Sequence, residues 1–234
     1  MLSDDRSRLG ERQDEHSSRY THCVHASFVA MIALASTLAA GPARSDWVFV
    51  ECTYDQQAII RYAYALGFGR AKAAEKRVGL TPSYERWFGT WSQARGDRVL
   101  REIRDIVSTM LIGTPKFSCL PQSAPRCVNG KLAYLKKDTS YDVSLCPAFW
   151  IIDPNEDYDM TSVLLHEIAH FEIGVGGITI DQCQGFRGLQ ECADLARSRP
   201  GQAVENADSY RLFIEDGGRL HGDAWGMFPP PGYR

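Results

Sequence analysis

Along most of the chain apolar side chains recur every three or four positions, and in one central stretch that spacing gives way to short, punctuated runs. Over residues 55–79, Ile59, Ile60, Tyr62, Ala63 and Leu66 fall at helical spacing in an alanine-rich background. "TPSYERWFGTW" reads as a turn leading into an aromatic cluster. "RGDRVLREIRDIVSTMLIG" sets Val99, Leu100, Ile103, Ile106, Val107, Met110 and Leu111 on one face, predicting an amphipathic helix that closes at Gly113. From Lys116 to Ile152 the rhythm changes. "FSCL", "KLAYLKK" and "YDVSLCPAFWII" are short apolar or alternating runs separated by "PQSAPRCVNG" and "DTS", which predicts a small antiparallel sheet. Helical spacing returns in "MTSVLLHEIAHFEIG", with Thr161 or Ser162 as its cap and Gly174 to Gly177 as its stop. Two more helices are predicted over 189–197 and 203–215, followed by an extended tail, "MFPPPGYR". The pattern gives an α+β fold, mainly helical, with the sheet beside the "HEIAH" helix and one domain over 44–234.

The apolar run "FVAMIALASTLAAG", residues 28–41, changes the picture at the other end. It carries no charge, falls short of the roughly 20 residues of a membrane span, and suits the core of a signal peptide. Ala39, Ala40, Gly41 and Ala43 supply small residues for cleavage. The preceding segment mixes Asp4, Asp5, Glu11, Asp14 and Glu15 with arginines. The expectation is a leader over 1–43, with the protein secreted or periplasmic once it is cleaved and membrane-anchored if it is not. No stable membrane association is expected after processing. Seven cysteines are present, and removing the leader takes away Cys23. Cys52, Cys119, Cys127, Cys146, Cys183 and Cys192 remain, without CxxC spacing, which points to disulfides in an oxidising compartment. A net charge of −3 with both signs interspersed gives no footing for nucleic acid. The expected assembly state is a monomer.

The chemistry concentrates in "HEIAH". His166 and His170, four apart on a helix, share a face and can direct both rings to one zinc ion, while Glu167 stands beside the open coordination position. Zinc lowers the pKa of its water to about 7, and Glu167 can take the proton. A third protein ligand is needed. Gly176 occupies the place where a histidine would complete an HExxHxxGxxH site, so that class is excluded. Glu191, on a following helix, and Asp181, across a glycine-rich turn, both qualify, and His221 is remote.

"HEIAHF" followed by "TIDQCQG", Thr179 to Gly185, resembles the aspzincin signature HExxH…GTxDxxYG of the deuterolysin and peptidyl-Lys metalloendopeptidase family. "NADSY" (206–210), "RWFG" (86–89) and "AYLKK…VSLCPAFW" (133–150) are similar to further segments of that family, in order. The resemblance implies a zincin-like metalloprotease domain with one zinc ion, held by His166, His170 and Asp181. Glu167 would be general base and a protein or peptide the substrate. Gln184 falls where the family has a tyrosine; its amide can donate a hydrogen bond but is no acid, and losing such a donor costs about 10²–10³ in rate. Tyr210 is another candidate donor to the substrate. Asp208 matches an acidic residue that helps bind a substrate lysine in Lys-specific members, and Arg211 stands where those members have another acid, so lysine specificity is not expected. The resemblance also implies bridges Cys52–Cys119 and Cys127–Cys146, leaving Cys183 with Cys192. The expected function is a secreted zinc endopeptidase. The alternative is a zinc-binding domain of weak or no proteolytic activity, serving as a binding or toxin module.

Overall fold

The computed structural model describes residues 47–135, 141–152, 159–171, 181, 183 and 189–220, with backbone only over 218–220. In chain order the elements are β1 (Val48–Val50), α1 (Tyr54–Ala74), α2 (Pro82–Phe88), α3 (Gln93–Ile112), β2 (Lys116–Cys119), β3 (Ala133–Leu135), β4 (Asp142–Leu145), α4 (Met160–Ala169), α5 (Leu189–Ser198), α6 (Pro200–Ala203) and α7 (Ala207–Leu220). They belong to one compact unit, Ser45–Arg234; the leader expected over 1–43 lies outside the described residues.

Local chemistry accounts for the helix starts. Thr53 accepts from the Gln56 amide and receives the Gln56 side chain on its own N–H, a reciprocal capping box for α1. α2, read from sequence as a turn and aromatic cluster, is a helix. Thr81 caps it and Pro82 pre-sets its first turn, but seven residues are too few to show a period. Its end is Gly89 at φ 78°, where an added Cβ would stand 2.3 Å from Ala196 O, so only glycine lets α5 come this close. α3 buries Val99, Ile103, Ile106, Val107 and Met110 as its period predicts, whereas Leu111 in the last turn is exposed. The single helix expected over 203–215 is two, α6 and α7, broken at Val204–Asn206.

The α+β class holds, but the sheet is not antiparallel. Its order is β1-β2-β4-β3; β1 pairs with β2 and β2 with β4 in parallel, and only β3 runs antiparallel, against β4. Parallel neighbours need a long crossover, and α1 to α3 provide one between β1 and β2. Turn residues mark where strands end but carry no information on which strands pair. β1 has only three residues and no period of its own to reveal it. The sheet packs on α1 through Phe117, whose ring lies 6.2 Å from Tyr64 and 5.9 Å from Phe49.

α4 is buried on nearly every side, against α1, α3, α7 and β3. Its cap is Asp159, upstream of the expected Thr161 or Ser162: the Asp159 carboxylate accepts from the Ser162 amide at 2.8 Å, and Ser162 answers on the Asp159 N–H. Arg70 of α1 stands 3.5 Å from the same carboxylate, fixing the helix start to its neighbour. The three disulfides pair as the resemblance implies: Cys52–Cys119, Cys127–Cys146 and Cys183–Cys192.

Candidate metal centre

His166 lies in the last turn of α4 and His170 is its C-cap, still with right-handed helical dihedrals, so the two rings stay on one face. Their Nε2 atoms are 3.1 Å apart. Asp181 Oδ1 lies 3.4 Å from His166 Nε2 and 3.2 Å from His170 Nε2. A tetrahedral zinc with bonds of about 2.0–2.1 Å has ligand–ligand edges of roughly 3.3–3.4 Å, so these three atoms match one face of such a site. Two imidazole nitrogens and a carboxylate oxygen are also a zinc donor set. Among the described residues these three form the group able to hold a metal ion. Glu191 does not join them: it is exposed on α5.

The support behind the centre comes from the start of α7. Asp208 Oδ1 is 3.2 Å from His166 Nδ1, which turns Nε2 toward Asp181 and His170. The same oxygen accepts from Arg211 Nε at 2.8 Å, and Arg211 Nη1 donates to Glu215 Oε2 at 2.8 Å. All three charged side chains are buried, Arg211 completely. Just before the helix, the Asn206 side chain donates to Cys183 Sγ at 3.0 Å and accepts from the Cys183 amide at 3.2 Å. Cys183 is two residues past Asp181 and bonded to Cys192 of α5. One segment therefore holds His166 through Asp208 and the Asp181 neighbourhood through Asn206. Sequence reasoning singled out "NADSY" but gave Asn206 no task; its signal was an uncharged polar residue immediately before an amphipathic helix.

Electrostatics follow from burial. Burial alone would push His166 down, but the adjacent Asp208 carboxylate, with Glu167 and Asp181, outweighs it and raises the ring, so that a proton and a zinc ion compete for Nε2. Asp181 is held below its ordinary range, chiefly by its hydrogen bond to His170. Glu167, 7% exposed, is raised by burial, and His166, His170 and more weakly Lys131 pull it back. Lys131, in the loop before β3, escaped the sequence reading; it is exposed, with Nζ 5.8 Å from the Tyr134 ring centre.

The two residues expected to contact substrate lie inside the protein. Tyr210 is fully buried, its hydroxyl donates to Val204 O at 2.8 Å, and its ring packs 5.0 Å from Phe88. The Asp208 carboxylate faces His166 and Arg211. Arg211, which stands where Lys-specific members have a second acid, is paired with Asp208. Gln184 lies outside the described residues, as do Thr179 and His221.

Residues 73–215 match the family model described as lysine-specific metallo-endopeptidase, Aspzincin M35. The chain is similar to a peptidyl-Lys metalloendopeptidase of Pleurotus ostreatus, 33% identical over 136 residues, covering 58% of this chain and 74% of that protein. An extracellular protease of Aeromonas hydrophila is 24% identical over 172 residues, covering 70% of this chain and 46% of that protein. This chain therefore spans less than half of the bacterial protein. Among solved structures, a zinc peptidase from Grifola frondosa superposes with a TM-score of 0.61 at 26% identity, over 71% of this chain and 98% of that one.

Proposed function

This chain belongs to the aspzincin family of zinc metalloendopeptidases, and from that premise we propose that it is a secreted endopeptidase in which His166, His170 and Asp181 hold one zinc ion and Glu167 handles the proton. The observation that carries this reading is the triangle of donor atoms with edges of 3.1, 3.2 and 3.4 Å. Zinc, when bound, supplies a Lewis acid that polarises the scissile carbonyl and acidifies water. Glu167 accepts the proton of the attacking water and returns it to the leaving amine. Its burial supports this: a carboxylate whose pKa is raised by burial is a stronger base than an exposed glutamate. Asp208 holds His166 in the tautomer whose Nε2 carries the lone pair. Gln184 takes the place of a supplementary hydrogen-bond donor to the substrate carbonyl.

Three disulfides and a relative named as an extracellular protease support secretion. Among the described residues no helix is long and apolar enough to cross a membrane. The substrate is a protein or peptide, without preference for lysine, because Arg211 already compensates the Asp208 carboxylate. The test is hydrolysis of casein and of a mixed peptide library by the purified protein. Chelation is expected to abolish cleavage and zinc to restore it, with cleavage sites spread over several residue types. Cleavage that persists in Glu167→Ala overturns the mechanism.

A further inference from the structure

The Asp208–Arg211–Glu215 chain does more than neutralise charge. Burying a guanidinium without partners costs several kcal/mol, and a buried carboxylate is no cheaper. Here three ionisable side chains, each with at most 6% exposure, sit in succession on one helix face, at spacings of three and four residues. The geometry has a direction. Arg211 reaches one way with Nε and the other with Nη1, so its planar fork is fixed at both ends. The Asp208 oxygen that Arg211 grips is the one 3.2 Å from His166 Nδ1. Asp208 therefore cannot swing without breaking its bond to Arg211, and Arg211 cannot swing without breaking its bond to Glu215.

We propose that Arg211 is a positioning residue for the metal centre: clamped by Glu215, it locks Asp208 onto His166 Nδ1, and thereby sets the aim of His166 Nε2 and the affinity of the site for zinc. The inference rests on the reading of His166 as a metal ligand, and it goes beyond that reading by placing control of the site two side chains away, in the core of α7. It also specifies what the clamp excludes. A carboxylate oxygen shared between an imidazole and a guanidinium inside the protein is not presented to a substrate cation.

The experiment titrates zinc into the metal-free protein against a chromophoric chelator, for wild type, Arg211→Met, Asp208→Asn and the double variant, with circular dichroism to verify folding. Loss of an outer partner of a metal-ligating histidine typically costs about 10–100-fold in affinity or activity. Each single variant is expected to bind zinc about 10–100-fold more weakly, and the double variant no more weakly than the worse single, because both act through one path. At saturating zinc, kcat is expected to fall with KM unchanged. Wild-type zinc affinity in folded Arg211→Met and Asp208→Asn overturns the proposal, and so does a rise in KM alone, which would return Asp208 to the substrate. Should Arg211→Met fail to fold, the near-isosteric Asp208→Asn decides by the same criterion. His166→Ala and Asp181→Ala separate the two levels: if these variants keep wild-type zinc affinity, the ligand reading itself fails.

Discussion

The two sides of the candidate metal centre reach the same point by opposite means. His166 and His170 come from α4, a helix buried on nearly every side, capped by Asp159 and gripped by α1 and α7. Asp181 has a side chain 54% exposed, and the fixed points near it are Cys183, bonded to Cys192, and Asn206, which holds the Cys183 backbone and sulfur. One side owes its geometry to helical repeat and packing. The other owes it to a covalent bridge and a pair of side-chain hydrogen bonds between residues far apart in sequence. The difference teaches where the centre is sensitive: the histidine side moves only if the core moves, while the aspartate side depends on a few separable contacts.

The largest effects are expected on the ligands themselves. His170→Ala and Asp181→Ala should each remove detectable zinc binding near neutral pH and all peptide hydrolysis, whereas Glu191→Ala should leave both intact. Metal content after dialysis decides this, and zinc retained by Asp181→Ala would dissolve the aspartate side of the comparison. Glu167→Gln comes next. Zinc occupancy should stay at the wild-type level while kcat falls by about 10²–10⁴, the usual range for losing a general base.

Removing the bridge with Cys183→Ser/Cys192→Ser should weaken zinc by about 10-fold, the low end of an outer-shell loss, and destabilise folding by about 2–3 kcal/mol for so short a loop. Zinc titration and denaturant unfolding read the two separately. Equal losses from an α4 variant such as Leu164→Ala, buried in the core, would erase the contrast between the sides. The smallest effect belongs to Tyr210→Phe. It should cost about 1 kcal/mol of stability through the lost bond to Val204 O and leave kcat unchanged.

What the sequence made legible divides along the same line. The two histidines were readable from spacing alone, because four residues bring two side chains to one helix face whatever the rest of the fold does. Spacing did not choose between Asp181 and Glu191, since both follow His170 at plausible distances. The choice came from resemblance, and in the structure Asp181 stands with the histidines. The contact of Asp208 with His166 was not legible for a physical reason: an acidic residue near a helix start carries no sign of which way it faces until α7 is packed on α4. Arg211 and Glu215 did leave a trace, as opposite charges three and four positions apart within an otherwise amphipathic helix, the spacing at which ion pairs form. The sheet was misread because pairing between β1 and β2 is set by the crossover, not by either strand.

That crossover also constrains how the molecule is made. Synthesis releases β1 first among the described elements, yet the strand it pairs with follows only after α1, α2 and α3. Until then Cys52 has no Cys119 to meet, since 67 positions separate them. The bond that closes this ring therefore waits for three helices to be made, although Cys119 still precedes Cys146 and Cys192. It closes a long loop, the kind of link that removes the most freedom from an unfolded chain. An oxidant met too early would join Cys52 to whatever thiol it found; met on time, it seals a sheet already assembled.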